Sequence, residues 1–251
     1  MLNEVKQDLK KLADPKKAAV LRRFFKTGKG EYGEGDEFIG VKVPDQRQVA
    51  KKYQDEDLNT VQKLLDSKTH EHRLTGLLIL VRQYERARRH KDEEEMLGLV
   101  NFYLANLKHV NNWDLVDLSA PKILGDYLWQ IKSQKIAAKS IDIDLLYNLA
   151  KSKILWKRRI AVLSTYPFIK EGDFEDILKI SRRRLRDKQD LIQKAVGWML
   201  REVGKQDKKT LLKFLNKYHQ RMPRTMLRYA IERLDDKERN KYLKTKSTKK
   251  D

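Results

Sequence analysis

A tryptophan and an aspartate one helical turn apart are the first residues of this chain that could do chemistry together. Trp113 and Asp117 stand in the segment NNWDLVDLSAP, and a spacing of four places an indole and a carboxylate on one face of a helix. Asn112 or Asn111 can cap the start of that helix. A carboxylate can stabilise a developing positive charge, and an indole face can hold a cation. An ordinary intramolecular salt bridge is the competing interpretation of Asp117.

Two further tryptophans lie beside basic residues. Trp156 stands in ILWKRR and Trp198 in KAVGWMLRE. A tryptophan in a helical array belongs more often to the core than to a binding site. Next to a row of cations, however, an aromatic face suits an electron-poor base or the edge of a sugar.

Other patterns give weaker signals. His70 and His72 diverge on a helix, and no cysteine or further histidine cluster supports a metal site. The glycines between 28 and 40 lack a P-loop lysine pattern and a preceding strand, so a nucleotide phosphate site is not expected. Ser119 has no nearby histidine in the sequence, which leaves a hydrolase triad unsupported. We therefore predict no metal and no cofactor.

The charge balance points to a polyanionic partner. Lysine and arginine number 56 against 36 aspartates and glutamates, a formal net charge of +20, and such an excess attracts nucleic acid. Binding to anionic lipid and plain solubility are the alternatives from charge alone. The absence of cysteine excludes disulfides and thiol nucleophiles, and it favours the cytoplasm. With no signal peptide and no membrane-length apolar stretch, we expect a soluble cytoplasmic protein.

The elements that must position these residues are helices. Glycine and proline are scarce and charged residues make up 37% of the chain, which favours long amphipathic helices over an all-β fold. Asp14 and Pro15 predict a break between two N-terminal helices. Residues 27–44 predict a structured loop, the only long non-helical segment, before a helix capped by Asp45. Periodic apolar residues predict further helical blocks at 58–65, 70–88, 92–107, 113–131, 142–149, 155–166, 174–185, 191–203, 208–218 and 224–234.

These blocks repeat as helix pairs. The second helices share a polar or basic residue, a small residue and then apolar residues, at intervals of roughly 34 to 45 residues, as in HEAT-type repeats. We therefore predict an all-α, HEAT-like solenoid with a basic concave face, forming a single domain over residues 1–244, followed by a basic, disordered tail over 245–251. Equivalent positions form a predicted stripe of DNA-binding cations, interrupted by Asp117: Arg73, Arg158, Arg159, Lys194 and Arg228.

Four segments together resemble a known family. FIGVKVPDQR, NWDLVDLSAPKILGDYL, WKRRIAVL and LIQKAVGWMLRE are similar to the AlkD-like DNA alkylation repair glycosylases, which are built of HEAT-like repeats. The resemblance implies that Asp117 is the catalytic carboxylate and that Trp113 and Trp198 contact the damaged nucleotide. It also implies that Arg159 contacts the DNA backbone, and we expect Lys194 to neutralise phosphates as well.

The resemblance implies excision of cationic alkylated purines, such as 3-methyladenine and 7-methylguanine, from double-stranded DNA. The alkylated base is already a good leaving group, so an anionic Asp117 has to stabilise the oxocarbenium-like sugar and orient a water. Members of this family act without rotating the base into a deep pocket. The chain departs from the family pattern at Phe24, where a tyrosine is expected, and at Asp190 and Leu191, where an aromatic pair is expected.

Two alternatives stay open at this point. A non-catalytic relative could bind branched or damaged DNA, although retention of Asp117, Trp113 and Trp198 argues against it. A protein-interaction scaffold of HEAT type could instead present its basic face to an acidic partner. Our preferred prediction is a monomeric DNA glycosylase with no membrane partner.

Overall fold

The computed structural model describes residues 1–244, and in this range all regular structure is helical apart from one isolated parallel bridge between Glu37 and Thr69. The all-α prediction is therefore confirmed. The predicted tail at 245–251 lies outside the described residues. In chain order the α-helices are α1 Leu2–Lys11, α2 Pro15–Phe24, α3 Val43–Lys52, α4 Leu58–Leu65, α5 His70–His90, α6 Glu93–Ala105, α7 Trp113–Ser119, α8 Asp126–Lys132, α9 Asp144–Lys151, α10 Leu155–Leu163, α11 Tyr166–Lys170, α12 Glu175–Arg184, α13 Asp190–Gln206, α14 Lys208–Tyr218, α15 Arg224–Ala230 and α16 Asp236–Lys244.

Aspartates begin several of these helices by accepting hydrogen bonds from otherwise unpaired backbone N–H groups. Asp14 accepts from the N–H groups of Lys16 and Lys17, with Pro15 in the first turn, as the sequence predicts. Other side-chain caps of this kind are Asp57 for α4, Asp92 for α6 and Asp207 for α14.

The chain forms two compact units, Met1–Tyr127 and Leu128 onward. In the first unit α5 is the central helix, and it packs against α3, α4, α6 and α7. In the second unit α13 is central, and it packs against α10, α12, α14 and α15. The division falls inside α8, where the sequence shows no linker, and the single-domain prediction stays a prediction.

Three boundaries differ from the sequence prediction. Helix α3 begins at Val43, so Asp45 lies in its first turn and is not its cap. The predicted block at 113–131 is interrupted after α7 by a π-helical turn, Pro121–Gly125, because Pro121 lacks the N–H that a continuous helix needs. Residues 133–143 form a second long non-helical segment. None of the helices within residues 1–244 is long and apolar enough to cross a membrane.

Candidate active site

Helix α7 carries Trp113 and Asp117, and it begins where the sequence predicts. Its cap is Asn112, whose Oδ1 accepts a hydrogen bond from the backbone N–H of Trp113 at 2.8 Å. The indole of Trp113 is half-buried and stacks on Phe25, with ring centroids 5.1 Å apart and planes 5° apart. Phe24 meets the same indole edge-on at 5.9 Å, and Phe24 itself is 61% exposed. Trp113 is thus held from behind by a buried ring and flanked by an exposed ring.

Asp117 lies one turn further along α7 and is half-buried, outside the buried core. Its charge reaches the buried Tyr103 on α6. Burial raises the pKa of the Tyr103 hydroxyl, and the negative charge of Asp117 raises it further. Tyr103 is held by a 3.1 Å hydrogen bond with Ser119. The predicted carboxylate therefore lies at the margin of the interior, where its electrostatic effect is stronger than in bulk water.

A buried cluster of charged residues holds the start of α7 against α5. His70 is 2% exposed; its Nδ1 lies 3.0 Å from Asp36 Oδ2 and its Nε2 lies 2.8 Å from Asp114 Oδ2. Arg73 Nη2 donates to Asp36 Oδ1 at 2.6 Å, and Asn112 Nδ2 donates to Asp36 Oδ2 at 3.2 Å. We call these five side chains the His70 cluster. They tie the loop before α3, the start of α5 and the start of α7 together.

The His70 cluster pairs two carboxylates with two cations. Burial opposes the charged form of His70, but the carboxylates of Asp114 and Asp36 outweigh burial and raise its pKa to about 9. Burial likewise opposes the charge on Asp36, yet His70 and Arg73 hold its pKa below the usual value. Phe38 stacks on the His70 ring with centroids 4.6 Å apart. The imidazolium is therefore enclosed by two carboxylates and an aromatic face.

The glycine-rich loop delivers Asp36 and Phe38 to this cluster. The buried carboxylate of Glu71 accepts hydrogen bonds from the backbone N–H groups of Ile39, Gly40 and Val41, the shortest being 2.7 Å from Gly40. At Gly40 φ is +88°, and a Cβ there would lie 2.1 Å from the carbonyl oxygen of Asp14. A glycine is required at this position. The prediction of a structured loop is confirmed, although the sequence offered no role for it.

In the second unit, Trp198 lies on α13 with its indole half-buried. Its Nε1 donates a 3.2 Å hydrogen bond to Glu202 one turn on. The preceding Gly197 lets α13 approach α15 closely, since a Cβ there would lie 2.5 Å from the carbonyl oxygen of Met226. Trp156 on α10 is buried, as expected of a core residue. The placement of Trp198 leaves part of its indole accessible.

Two of the five predicted DNA-binding cations, Arg73 and Arg158, are buried and donate to backbone carbonyl oxygens within the chain. Arg73 is 4% exposed, and its Nη1 donates to the carbonyl oxygens of Ser67 and Lys68. Arg158 is 8% exposed, and its Nη1 donates to the carbonyl oxygens of Ser152 and Lys153. Each guanidinium also pairs with an aspartate, at 2.6 Å for Arg73 with Asp36 and 2.9 Å for Arg158 with Asp187.

The two sites share a sequence motif: a serine and a lysine, then four residues, then the arginine. The guanidinium donates to the carbonyl oxygens of that serine and that lysine. Gln193 repeats this geometry once more, donating to the carbonyl oxygen of Asp187 six residues earlier. Arg73 and Arg158 therefore hold the start of α5 and the start of α10 to the turn before each helix. They do so because a buried guanidinium needs partners for its donors.

The remaining three cations are placed differently from one another. Arg159 is 4% exposed and donates through Nη1 to the carbonyl oxygen of Leu191. Lys194 is partly exposed and pairs with Asp190 at 2.7 Å. Arg228 is exposed. Their contacts with DNA stay predictions.

Comparison with known proteins decides the family. The model of a family described as "DNA alkylation repair enzyme" matches residues 5–234. The chain belongs to this DNA alkylation repair enzyme family. No protein of curated function shows significant sequence similarity to it.

A solved structure supports the helical fold of this alkylation repair family member. A predicted DNA alkylation repair enzyme from Enterococcus faecalis is 15% identical, with a TM-score of 0.65 over 89% of this chain and 97% of that one. AlkD2 from Streptococcus mutans is 19% identical, with a TM-score of 0.49 over 87% of this chain and 97% of that one. At 15% identity, the similarity to the Enterococcus faecalis protein concerns the fold alone.

Sequence reasoning missed the His70 cluster of this repair-family chain. His70 was considered with His72 as a metal pair and set aside, and within residues 1–244 no group of histidine, aspartate and glutamate side chains is placed to hold a metal ion. The true partners, Asp36 and Asp114, lie 34 and 44 residues away. One signal was available: the matching position in the second arginine motif is the apolar Leu155, so the motif itself does not call for a titratable residue at His70.

Proposed function

We propose that this chain is a DNA glycosylase that hydrolyses the N-glycosidic bond of cationic alkylated purines in double-stranded DNA. The observation that carries the proposal is the placement of Asp117 one turn from the partly exposed Trp113, on a helix whose start is fixed by the His70 cluster. Membership of the alkylation repair family supports the substrate class. We propose 3-methyladenine and 7-methylguanine as the bases released.

The chemistry requires little acid catalysis. A purine alkylated at N3 or N7 carries a positive charge, so when the bond from C1′ to the base nitrogen breaks, the electron pair leaves with the base as a neutral molecule. The deoxyribose is left as an oxocarbenium ion, and the carboxylate of Asp117 stabilises that charge. Water adds at C1′ and loses its proton to the carboxylate, which returns it to solvent.

The aromatic residues of α2 and α7 fit the rest of the task. Trp113 is supported from behind by Phe25, so it offers a fixed indole edge and face to a cationic base or a sugar. Phe24 extends this surface into solvent. A surface of this kind holds a nucleotide by contact and does not require a deep pocket, and we propose that the base is excised without being rotated into one.

In the second unit, Trp198 and the accessible cations Lys194 and Arg228 are proposed to contact DNA. Cations that meet phosphates position a protein on the duplex without reading its sequence. We do not include Arg73 and Arg158 among these contacts, because both guanidinium groups are buried and donate to backbone carbonyl oxygens within the chain.

The direct test is release of bases from duplex DNA that has been treated with a methylating agent. The supernatant is analysed by liquid chromatography and mass spectrometry after incubation with the purified protein. Release of 3-methyladenine or 7-methylguanine above the spontaneous rate is expected. Tight binding of the same duplex with no release above that rate would contradict the glycosylase proposal and favour a non-catalytic DNA-binding protein.

A further inference from the structure

Helices α12 and α14 enclose a groove in the second unit that lies outside the residues assigned to catalysis. Its volume is about 400 Å³, within the range of ligand-binding pockets. Leu178, Phe214 and Tyr218 form an apolar floor, while cations stand on both rims, Lys179 and Arg182 on α12 and Lys213 and Lys217 on α14. We call this the α12–α14 groove.

The floor of the groove is made by the spacing of residues on α14. Thr210, Lys213, Phe214, Lys217 and Tyr218 recur every three or four residues and so share one side of the helix. Phe214 and Tyr218 pack with ring centroids 4.8 Å apart. The eight-residue interval from Thr210 to Tyr218 corresponds to about 12 Å, or two helical turns. The apolar part of this side, from Phe214 to Tyr218, spans about 6 Å, and Leu178 on α12 extends it across the groove.

The rim charges have few internal partners. Lys179 pairs with Glu175 on its own helix, and Lys217 lies over the Tyr218 ring at 5.5 Å. Arg182 and Lys213 are exposed, and neither has an ion-pair partner among residues 1–244. Arg182 and Lys213 therefore leave an exposed positive charge on each rim of the apolar floor, and these charges are complementary to those of an anionic partner.

We propose that the α12–α14 groove binds an acidic, amphipathic helical segment of a partner protein. Apolar side chains one turn apart on such a segment would cover Leu178, Phe214 and Tyr218, and flanking glutamates or aspartates would meet Arg182 and Lys213. The surface of a duplex presents phosphates and no apolar side chains, so DNA would use the rims and leave the floor uncovered. The apolar floor therefore favours a peptide over a nucleic acid. This inference does not depend on the glycosylase proposal.

The probe is a synthetic helical peptide of 14 residues with leucine and phenylalanine at i, i+4 and i+7 and glutamate at most other positions. A second peptide has the same composition with its apolar residues spread around the helix. Affinity is measured by fluorescence anisotropy with the full chain, and amide chemical shifts locate the site. We expect the amphipathic peptide to bind about tenfold more tightly than the spread peptide and to shift the amides of Leu178, Arg182, Lys213 and Tyr218.

Two charge-reversed proteins make the test specific. Arg182→Glu with Lys213→Glu removes the free rim cations, whereas Lys209→Glu with Arg186→Glu makes the same change in net charge at exposed residues that do not line the groove. The first pair is expected to weaken peptide binding about tenfold and the second less than about threefold. Equal weakening by both pairs, or equal binding of both peptides, would overturn the proposal. A 12-base-pair duplex is tested as a competitor of the peptide. If the duplex displaces the peptide, and if its affinity falls for the protein with Arg182→Glu and Lys213→Glu but not for the control protein, the groove is a nucleic-acid surface instead.

Discussion

Phe24 is the most exposed aromatic residue beside Trp113, and its exposure makes it a suitable residue for separating function from stability. Phe24→Ala removes a ring that is 61% exposed, so we expect the free energy of unfolding to change by less than about 1 kcal/mol. The excision rate should fall about tenfold, because Trp113 loses its edge-on neighbour. Val20→Ala, one turn earlier on α2 and 56% exposed, is the control. If the Phe24→Ala protein excised the base at the wild-type rate, Phe24 would have no role in the site.

We expect His70 to make the stability of the protein depend on pH. Its pKa is about 9 in the folded chain against 6.5 in the unfolded chain, so its stabilising effect is complete below pH 6.5 and is lost as pH rises through 9. The groups facing it are Asp36, Asp114 and Arg73. The difference in unfolding free energy between wild type and His70→Gln should therefore shrink by on the order of 3 kcal/mol over this range.

His72 is the matched control for that measurement. It lies two residues away on α5, but burial lowers its pKa to about 4, so it is neutral in both states above pH 7. The difference between wild type and His72→Gln should stay constant from pH 7 to 9 in chemical denaturation experiments. A constant difference for His70→Gln as well would show that its imidazole is not held as a cation.

Among the helices, the contact between Arg158 and the turn before α10 is expected to contribute most clearly to stability. Arg158→Met would remove the donor that serves the carbonyl oxygens of Ser152 and Lys153, and it would remove the 2.9 Å ion pair of the Asp187 carboxylate. We expect a loss of about 3 kcal/mol, since one partner of a buried pair is removed. Arg228→Met, at an exposed position, should change the stability by less than about 0.5 kcal/mol. Thermal unfolding of the two variants makes the comparison, and equal effects would contradict the structural role of Arg158.

The helices could be predicted from sequence where local signals define them. The cap at Asp14, the cap at Asn112 and the block at Lys208–Tyr218 depend on residues within one or two turns, and the structure has them as predicted. The break after α7 was missed because Pro121 was read as part of a continuous apolar block. The predicted blocks end at 131 and resume at 142, so segment 133–143 lies almost wholly outside them, although residues 27–44 were predicted to be the only long non-helical segment.

The exposed part of the candidate site could be predicted from the sequence, but the buried His70 cluster that holds α7 could not. Trp113 and Asp117 lie four residues apart, so their shared face follows from helical geometry. The partners of His70 come from a loop and from another helix, and no local spacing connects them. The same limit explains Arg73 and Arg158: repeat comparison identified equivalent cations, but only the fold shows that their donors turn inward.

At the scale of the whole molecule, the net charge of +20 predicts how the protein meets DNA. Affinity for an unmethylated duplex should fall at least about tenfold between 50 and 200 mM salt, because each phosphate contact releases counterions. Anisotropy titrations at several salt concentrations measure this slope. An affinity for duplex that does not depend on salt would contradict a cationic DNA-binding surface.

The most direct test of the account is base release by Asp117→Asn. The substitution keeps the shape of the side chain and removes its charge, so single-turnover excision of 7-methylguanine should fall at least about 100-fold while duplex affinity changes little. Asp236→Asn makes the same change in charge at a residue that is 92% exposed and should leave the rate unchanged. If the protein with Asp117→Asn excised the base at the rate of the wild type, the catalytic role of this carboxylate would be contradicted.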